Sequence, residues 1–396
     1  MSTGEAKHAE AVTQDLPDLS QEEVRRYSRH LILPDVGVTG QRKLKGSSVM
    51  AVGAGGLGSP ALLYLAAAGV GRLGIIDDDV VDESNLQRQV IHGTSTVGAA
   101  KVESAKARIA DINPFVNVEV HQGQLSSSNA LDTLKGYDVV LDGSDNFPTK
   151  YLVNDACAIL GIPNVYGAIL GFEGQVSVFS YNGGPNYRDL LPVPPPPGEV
   201  PSCAEGGVLG ILPGVIGCLQ ATEVVKLLLG RGEVLSGRLL VYNALSMTFK
   251  ESPIASVTPP VTSLVDYQGF CGFSTGDASS DEEKEPEPFT RLDVTECVER
   301  LQEGWSPYVL DVRLPQEAAI ASLPFVDQLC PHRQVASIVG DLPAESDILV
   351  HCKVGGRSAI ACGLLAGAGV DSNRLYNMDG GIKAWAEQVD GSMVVY

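Results

Sequence analysis

The chain has 396 residues, of which 44% are hydrophobic and 19% charged, and its formal net charge is −20 at pH 7. This length predicts two domains with separate cores, and the charge argues against a nucleic-acid or anionic-membrane surface. No apolar run reaches the roughly twenty residues of a membrane span, and the polar N-terminus lacks a signal-peptide pattern. The eight cysteines form no C-x-x-C pair, which is typical of reduced thiols in a cytoplasmic protein.

Residues 1–19 have the composition of a flexible tail. Ser20 then fits a helix N-cap and Glu23 its capping-box partner, which predicts a helix over residues 21–31. Four basic side chains lie on this helix, namely Arg25, Arg26, Arg29 and His30. The pattern leaves two interpretations open, a solvated helix face and an anion-binding arm.

Residues 48–79 carry the pattern of a nucleotide-binding βαβ unit. An apolar run at 49–52 predicts a buried parallel strand, and a G-x-G-x-x-G turn follows it, containing Gly53, Gly55, Gly56 and Gly58. A helix over residues 60–68 and a strand over 73–76 come next, and the strand delivers Asp77 at its carboxyl end. In such a unit the glycines let the backbone approach phosphate, and the carboxylate accepts hydrogen bonds from ribose hydroxyls.

A dense polar run follows this strand and contains Asp79, Asn85, Arg88 and Gln89. If residues 85–89 are helical, the last three of these side chains share one turn near Asp77. A helix predicted over residues 99–112 aims Lys101 at the same crevice.

Two further strands, predicted at 116–121 and 138–141 with a helix at 129–134 between them, extend the sheet. The second strand ends in Asp142-Gly143-Ser144-Asp145-Asn146. Asp145 therefore also stands at the carboxyl end of a strand, where ligands bind in open α/β sheets.

The crevice predicted from these residues suits a triphosphate. Arg88 and Lys101 would neutralise the phosphates and the charge that develops at the α-phosphate, and Asp145 would hold Mg²⁺. Hydride transfer needs none of these groups, whereas nucleotidyl transfer to a carboxylate needs all of them. A nicotinamide-dependent oxidoreductase is therefore the disfavoured alternative.

Several long blocks of the first domain resemble the ThiF/MoeB family, the bacterial relatives of ubiquitin-activating enzymes. In chain order the blocks are GAGGLGS, IIDDDVVDESNLQRQ, GAAKVESAKARIADINP and LDGSDNFPTKYLVNDAC. The resemblance runs from about residue 27 to 271, within a predicted first domain of residues 20–273, and implies a Rossmann-like α/β adenylation fold. It also implies that ATP adenylates the C-terminal Gly-Gly carboxylate of a ubiquitin-like sulfur carrier of the MoaD/ThiS type.

The resemblance assigns roles to single residues. The glycines would line the phosphates, Asp77 would bind ribose, and Asp145 would handle Mg²⁺. The complete predicted nucleotide site comprises Gly53, Gly55, Gly56, Gly58, Asp77, Asp79, Asn85, Arg88, Gln89, Lys101 and Asp145. The RYSRH block implies that Arg29 enters the active site of a neighbouring subunit, and hence a homodimer.

Cys203 lies in a Pro/Gly-rich loop after an extended proline run at 192–197. Most free cysteines are small buried residues without a chemical role, and Cys203 could be one of them. In related enzymes that thiolate a carrier, however, this PSC position is a working cysteine. Cys203 is therefore a candidate catalytic residue beside Arg29, Arg88 and Asp145.

The chain departs from the family pattern at the structural zinc site, which usually has two C-x-x-C pairs. The first pair is replaced by Asn186-Tyr187-Arg188-Asp189, and the second is reduced to Gln268-Gly269-Phe270-Cys271. Since one cysteine cannot complete a closed tetrahedral site, we predict that this chain binds no zinc.

Residues 274–288 are acidic, rich in Ser and Pro, and almost free of apolar side chains, which predicts a linker. A second α/β alternation begins at residue 289 and continues to 396, with a helix at 294–302 and strands at 308–310 and 347–350. The last strand leads into a loop with Cys352 at its start, and a helix is predicted at 359–368. Loop amides, the helix N-terminus and two basic side chains would stabilise a thiolate or persulfide there.

This second domain resembles the rhodanese family through the blocks DVR, HCKVGGRSA and YNMDGGIKAW. Residues 317–343 match poorly. Phosphatase relatives carry five residues between Cys and Arg, whereas four separate Cys352 from Arg357, which favours sulfur chemistry. The implied persulfide forms on Cys352, and its loop comprises Lys353, Val354, Gly355, Gly356 and Arg357.

Together the two domains predict a carrier thiocarboxylate as product. The partners are then a ubiquitin-like carrier and a sulfur donor, either thiosulfate or a cysteine desulfurase. The sequence leaves open the molybdopterin, thiamine, cysteine and tRNA-thiolation pathways. An adenylating dehydratase acting on modified tRNA is a further alternative, which the acidity and the second domain disfavour.

Overall fold

The computed structural model describes residues 16–195, 207–271 and 287–395. The chain divides into two compact units, Met1–Gly276 and Asp277–Tyr396, and each is described by itself. Residues 1–15 of the predicted tail and most of the predicted linker lie outside the described residues. The end of the predicted tail instead contacts the helix Gly37–Gly46, because Arg42 and Lys45 donate to the Pro17 and Asp18 carbonyls at 3.2 and 2.7 Å.

The first unit begins with three helices and continues as an α/β alternation. Its helices are α1 Gln21–Arg26, α2 Ser28–Leu31, α3 Gly37–Gly46, α4 Gly58–Ala68, α5 Lys101–Ile112, α6 Ala130–Leu134, α7 Phe147–Leu160, α8 Tyr187–Leu190, α9 Leu212–Leu229 and α10 Tyr267–Phe270. Its strands are β1 Ser48–Val52, β2 Arg72–Asp77, β3 Asn117–Gln122, β4 Val139–Asp142, β5 Asn164–Leu170, β6 Glu173–Phe179, β7 Arg238–Asn243 and β8 Thr248–Pro253.

These strands form one sheet in the order β3-β2-β1-β4-β5-β6-β7-β8. The pairs from β3 to β5 are parallel and those from β5 to β8 antiparallel. The strand order reverses between β1 and β4, which is the topological switch point where ligands bind in such sheets. The register pairs Val52 with both Ile76 and Asp142, so the carboxyl ends of β2, β1 and β4 lie side by side.

The core follows from the sequence pattern on both faces of this sheet. All five residues of β1 are buried, as expected for a central parallel strand covered on two sides. Helix α4 packs its Ala and Leu side chains on one face and ends at Gly69, whose φ of +84° suits a left-handed C-cap. The α/β fold predicted from the sequence is confirmed.

The predicted helix over 21–31 is broken at Tyr27. The capping box of Ser20 and Glu23 is present, with both hydrogen bonds formed. Tyr27 is buried, and its hydroxyl accepts a hydrogen bond from Asn113 at 2.8 Å. Burial of this ring sets the chain direction, and two short helices replace the single predicted one.

Helix α9 was not predicted from the sequence, because glycines and Pro213 interrupt its apolar run. It is long and apolar enough to cross a membrane by length and composition. About half of the helix is buried, and it packs against α4, β5 and β6. It is therefore accounted for as a core helix of the first unit.

The second unit is a five-stranded parallel sheet with helices around it. Its strands are β9 Thr290–Leu292, β10 Tyr308–Asp311, β11 Gln328–Leu329, β12 Ile348–His351 and β13 Leu375–Met378, in the order β11-β10-β12-β13-β9. Its α-helices are α11 Val294–Gln302, α12 Pro315–Ala318, α13 Gly356–Gly367 and α14 Gly381–Gln388. Helix α13 begins three residues before the predicted start, directly inside the Cys352 loop.

Candidate active site

The glycine turn between β1 and α4 is shaped by two different steric demands. Gly53 has a φ of +98°, which L side chains rarely adopt. A Cβ on Gly58 would collide with the Gly53 carbonyl oxygen, so this glycine lets the helix start close to the strand end. A Cβ on Gly56 would lie 3.1 Å from Pro213 of α9, whereas a Cβ on Gly55 would meet only the Gln89 side-chain amide at 3.6 Å. Gly55 is thus the glycine with room for a ligand.

Asp77 lies at the end of β2 and closes the turn. Its two carboxylate oxygens accept hydrogen bonds from the Ala54 N–H at 2.8 Å and the Asp79 N–H at 2.9 Å. Burial raises the pKa of Asp77 above its ordinary value, against the opposing effect of these two donors. Each oxygen keeps a lone pair that could accept from a ribose hydroxyl.

Lys101 is the first residue of α5, and its ammonium is almost completely buried. Its Nζ lies 2.7 Å from the Asp79 carboxylate, which is 67% exposed. The crevice therefore holds this lysine in place through Asp79, and a phosphate arriving there would meet an ammonium that is already oriented.

Residues 85–89 form the turn that the sequence suggested. The Arg88 and Gln89 N–H groups both donate to the Asn85 carbonyl. The Asn85 side-chain oxygen accepts from Gln89 at 2.7 Å and from Arg88 at 3.4 Å. Within the described residues Arg88 makes no ion pair, and the Gln89 side-chain oxygen is buried without a hydrogen-bond partner. The turn thus presents an uncompensated guanidinium.

Two aspartates at the end of β4 have opposite surroundings. Asp142 is buried, accepts from the Ser144 N–H at 3.0 Å and pairs with Lys150 at 3.3 Å. Asp145 is exposed, and its carboxylate has no partner in the described part of the chain. A free, solvated carboxylate beside a phosphate site fits Mg²⁺, which keeps several waters and takes one or two carboxylates.

Sequence reasoning missed three buried side chains at this edge of the sheet. Lys150 donates to the Gly167 carbonyl at 2.7 Å. Gln220 of α9 donates to the Asp142 and Val165 carbonyls at 2.8 and 3.0 Å. The third, His92, contacts the glycine turn. None of these three residues belongs to a sequence motif whose spacing would predict its contact with a backbone carbonyl.

Arg29 lies on α2, three residues after Arg26. The neighbouring Arg26 donates to the Ile112 carbonyl at the last residue of α5, while Lys101 at the first residue of α5 lies in the crevice. The first and last residues of this twelve-residue helix are about 17 Å apart. Arg29 is exposed, and its entry into the active site of a neighbouring subunit stays a prediction.

Cys203 lies outside the described residues.

The positions of the family's zinc pairs are occupied by a different arrangement. Arg188 donates to both oxygens of Asp155 at 2.9 and 2.7 Å, and the Tyr267 hydroxyl donates to the same carboxylate at 2.7 Å. The guanidinium also lies 4.7 Å from the Phe270 ring centroid. These contacts tie the segment 186–189 to the segment 266–271 through α7, and we call them the Asp155 cluster. The residues present do not fit a zinc site.

In the second unit Cys352 lies directly after β12, in the loop that leads into α13. Cys352 is fully buried, and its Sγ accepts hydrogen bonds from the Gly355 N–H at 3.1 Å and from the Ser358 hydroxyl at 3.4 Å. Gly355 has a φ of +97°, which lets the loop turn its amide toward the sulfur. The N-terminus of α13 and these two donors lie around the sulfur, where they would stabilise the negative charge of a persulfide formed there.

The basic side chains of the loop are not equivalent. Arg357 binds Glu317 of α12 through two hydrogen bonds of 2.7 Å. Burial is the largest single effect and raises the pKa of Glu317, but the hydrogen bonds from Arg357 and the Leu314 N–H and the charges of Arg357 and Arg313 together bring the pKa below its ordinary value. Lys353 is half-buried, which lowers its pKa, and Val354 is exposed at the tip.

Three buried polar residues, Asp311, Arg313 and His351, lie beside the Cys352 loop. Arg313 donates to the Asp311 carboxylate, and His351 lies 3.8 Å from the same group. Complete burial lowers the pKa of His351 to about 4. The imidazole is therefore neutral at pH 7, and Arg313 carries the positive charge that balances Asp311.

Comparison with known proteins gives consistent matches for both units. The ThiF family matches residues 27–260, and the rhodanese-like domain matches residues 293–388. The "Probable adenylyltransferase/sulfurtransferase MoeZ" of Mycobacterium tuberculosis (strain ATCC 25618 / H37Rv) is 49% identical over 386 residues, covering 96% of each chain. The "Adenylyltransferase and sulfurtransferase MOCS3" of Sus scrofa is 43% identical, covering 96% of this chain and 89% of its own length.

Among solved structures, E. coli MccB in complex with ATP is similar in fold. Its TM-score is 0.54 at 20% sequence identity, and the match covers 61% of this chain and 75% of that chain. At this identity the similarity concerns the fold alone.

Proposed function

The chain belongs to the ThiF family and carries a rhodanese-like domain, and from this premise we propose that it converts the C-terminal Gly-Gly carboxylate of a ubiquitin-like sulfur carrier into a thiocarboxylate. The enzyme is an adenylyltransferase and sulfurtransferase. One observation carries the proposal for the first unit. Arg88 lies beside Gly56 of the glycine turn, Lys101 pairs with Asp79 just after β2, and the exposed Asp145 follows β4, all near the switch point of the sheet.

Adenylation places three demands on this crevice. The α-phosphate gains negative charge as the carboxylate attacks it, and Arg88 and Lys101 supply the compensating cations. The Gly55 amide has room to approach the phosphates, and Asp77 is placed for the ribose. Asp145 would hold Mg²⁺, which when bound neutralises phosphate oxygens. Arg29 would come from the neighbouring subunit of a homodimer.

Sulfur transfer then uses the second unit. The Cys352 thiolate attacks the outer sulfur of the donor and becomes a persulfide. Thiosulfate releases sulfite in this step, and a cysteine desulfurase persulfide releases its own cysteine thiolate. The terminal persulfide sulfur attacks the carrier's acyl-adenylate, AMP leaves, and an acyl disulfide joins the carrier to Cys352. A second thiolate attacks the Cys352 sulfur and releases the thiocarboxylate, leaving a disulfide that a cellular thiol reduces. Cys203 is our candidate for this thiolate.

The chemistry constrains the carrier but not the pathway. Any small protein that ends in a free Gly-Gly carboxylate could be adenylated in this crevice. The names of the relatives favour molybdenum-cofactor biosynthesis, with thiamine, cysteine and tRNA-thiolation carriers as the other candidates. The net charge of −20 disfavours a tRNA substrate.

The test is incubation of the purified chain with ATP, thiosulfate and candidate Gly-Gly carriers, followed by mass measurement of the carrier. We expect one oxygen to be replaced by sulfur, and carrier-dependent ATP–pyrophosphate exchange. Asp145→Ala and Arg88→Ala should each abolish exchange, since each removes a charge that acts on the phosphates. Exchange that survives both substitutions would refute the site assignment, and cofactor fluorescence with NADH would support the oxidoreductase instead.

A further inference from the structure

His92 lies between two elements of the predicted nucleotide site, although it would not itself reach a ligand. Its imidazole is buried, with Nε2 at 3.0 Å from the Ala54 carbonyl oxygen and Nδ1 at 2.9 Å from the Ser104 hydroxyl. Because a carbonyl can only accept, Nε2 carries a proton. Burial lowers the pKa of His92, so the ring is neutral at pH 7 and Nδ1 is an acceptor. The Ser104 hydroxyl also lies 3.0 Å from the Thr96 hydroxyl, and its single proton can be donated to either group.

The Ala54 peptide is fixed at both of its polar groups. Its N–H donates to Asp77 at 2.8 Å, and its carbonyl is bound by His92 and lies 3.3 Å from the Ser59 hydroxyl. The two partners of the carbonyl, His92 and Ser59, are buried. The carbonyl dipole, whose negative end would repel a phosphate, is thereby directed into the interior.

The same bond determines where the next amide points. In a planar trans peptide the carbonyl of one residue and the N–H of the next point in opposite directions. Anchoring the Ala54 carbonyl on His92 therefore turns the Gly55 N–H to the opposite side of the turn, away from His92. No acceptor for this N–H is present within the described ranges, which leaves it available for an anionic ligand.

The other side of the imidazole fixes a second element. Ser104 lies on α5, three residues after Lys101, whose ammonium pairs with Asp79 at 2.7 Å. One ring thus links the turn that offers the Gly55 amide to the helix that presents Lys101. The distance between the Gly55 amide and the Lys101 ammonium determines whether both can contact the same phosphates.

We propose that His92 is a positioning residue for ATP, which holds the Ala54 peptide so that the Gly55 amide faces the phosphates in register with Lys101. The inference rests on the proposed nucleotide site and adds a residue that does not touch the nucleotide. It predicts a defect confined to ATP, because the carrier and the sulfur donor make no use of this peptide.

The chain offers a matched pair of substitutions as the test. A glutamine amide nitrogen reaches the place of Nε2 and can still donate to Ala54, whereas an asparagine nitrogen reaches only the place of Nδ1. His92→Asn should raise the KM for ATP in pyrophosphate exchange by about 10- to 100-fold, the range expected when a ligand-orienting group shifts by about an ångström. The KM for the carrier should not change. His92→Gln should stay within about threefold of the parent.

The controls separate positioning from folding and from the site assignment. Ser104→Ala keeps the bond to Ala54 and should give an intermediate KM for ATP, and persulfide loading of Cys352 should be normal in every variant. The proposal is overturned if His92→Asn keeps the parental KM for ATP, if the KM for the carrier rises equally, or if His92→Gln is as impaired as His92→Asn. Retained exchange in Arg88→Ala and Asp145→Ala would instead refute the site itself.

Discussion

Removal of the Asp155 carboxylate should destabilise the first unit strongly, because the buried contacts of the Asp155 cluster hold together the two segments that zinc joins in the family pattern. Asp155 is fully buried and accepts three hydrogen bonds from Arg188 and Tyr267. In Asp155→Ala the guanidinium and the hydroxyl both lose their acceptor. Breaking a buried ion pair by removing one partner costs about 3–5 kcal/mol. Since the Arg188 side chain is 19% exposed and can regain some water, we expect about 3 kcal/mol.

The matched control is Asp111→Ala, which removes an exposed carboxylate paired with Arg108 at 2.9 Å on α5. Exposed pairs of this kind contribute about 0.3–0.5 kcal/mol. Both substitutions delete one aspartate from the same unit, and they differ in burial and in the number of partners.

The assay can distinguish the two units of the chain. Both tryptophans, Trp305 and Trp385, belong to the second unit, so their fluorescence should not change in Asp155→Ala. Thermal unfolding of the first unit is followed by near-ultraviolet circular dichroism, to which the packed rings of Tyr151, Tyr166 and Tyr187 contribute. For a unit of this size 3 kcal/mol corresponds to a decrease in Tm of about 6–12 °C.

Zinc is measured on the same samples. We expect substoichiometric zinc in the parent chain and no change of its Tm with a strong chelator, because hydrogen bonds and charge hold the two segments. Stoichiometric zinc, a Tm lowered by the chelator, or an Asp155→Ala variant as stable as Asp111→Ala would each refute the reasoning.

Three further predictions concern the two active centres. Cys352→Ala should keep ATP–pyrophosphate exchange and lose persulfide formation from thiosulfate, and loss of both activities together would contradict separate sites. Arg29→Ala should be inactive in exchange. Random mixing with Asp145→Ala chains should restore about a quarter of the parental activity, because half of the dimers then contain one chain of each kind and one of their two sites is complete. No recovery after verified subunit exchange would contradict a role across subunits. The third concerns His351, whose pKa lies at about 4 in the folded chain and near 6.5 when unfolded. The unfolded state binds more protons between these values, so acidification from pH 6.5 to 4.5 should lower the free energy of unfolding of the second unit by roughly 2 to 3 kcal/mol, measured by tryptophan fluorescence, and His351→Asn should remove most of this dependence.

The sequence predicted most elements of both units because local patterns are strong there. Buried parallel strands appear as short β-branched runs, and the helix after the glycine turn has Pro near its start and Gly69 after its end. Errors occur where tertiary contacts outweigh local preference. Burial of Tyr27 divides the first predicted helix, and packing against the sheet stabilises α9 despite its internal glycines.

The candidate site was predictable as far as its residues follow strand ends. Asp77 and Asp145 could be placed from their position after β2 and β4, because carboxyl ends of parallel strands share one edge. The contacts of His92, Lys150 and Gln220 could not be placed, since each is made to a carbonyl distant in sequence.

By itself the sequence determined the two α/β units, the glycine turn, the acids at strand ends and the Cys352 loop, because these depend on spacing along the chain. Only the tertiary structure decided which charges are compensated. It pairs Lys101 with Asp79 and Arg357 with Glu317, leaves Arg88 without an ionic partner in the described residues, and binds Arg26, three residues before Arg29, to the far end of α5. The physical reason is that the availability of a charge depends on which side chains fold against it, and that is a property of three-dimensional distance.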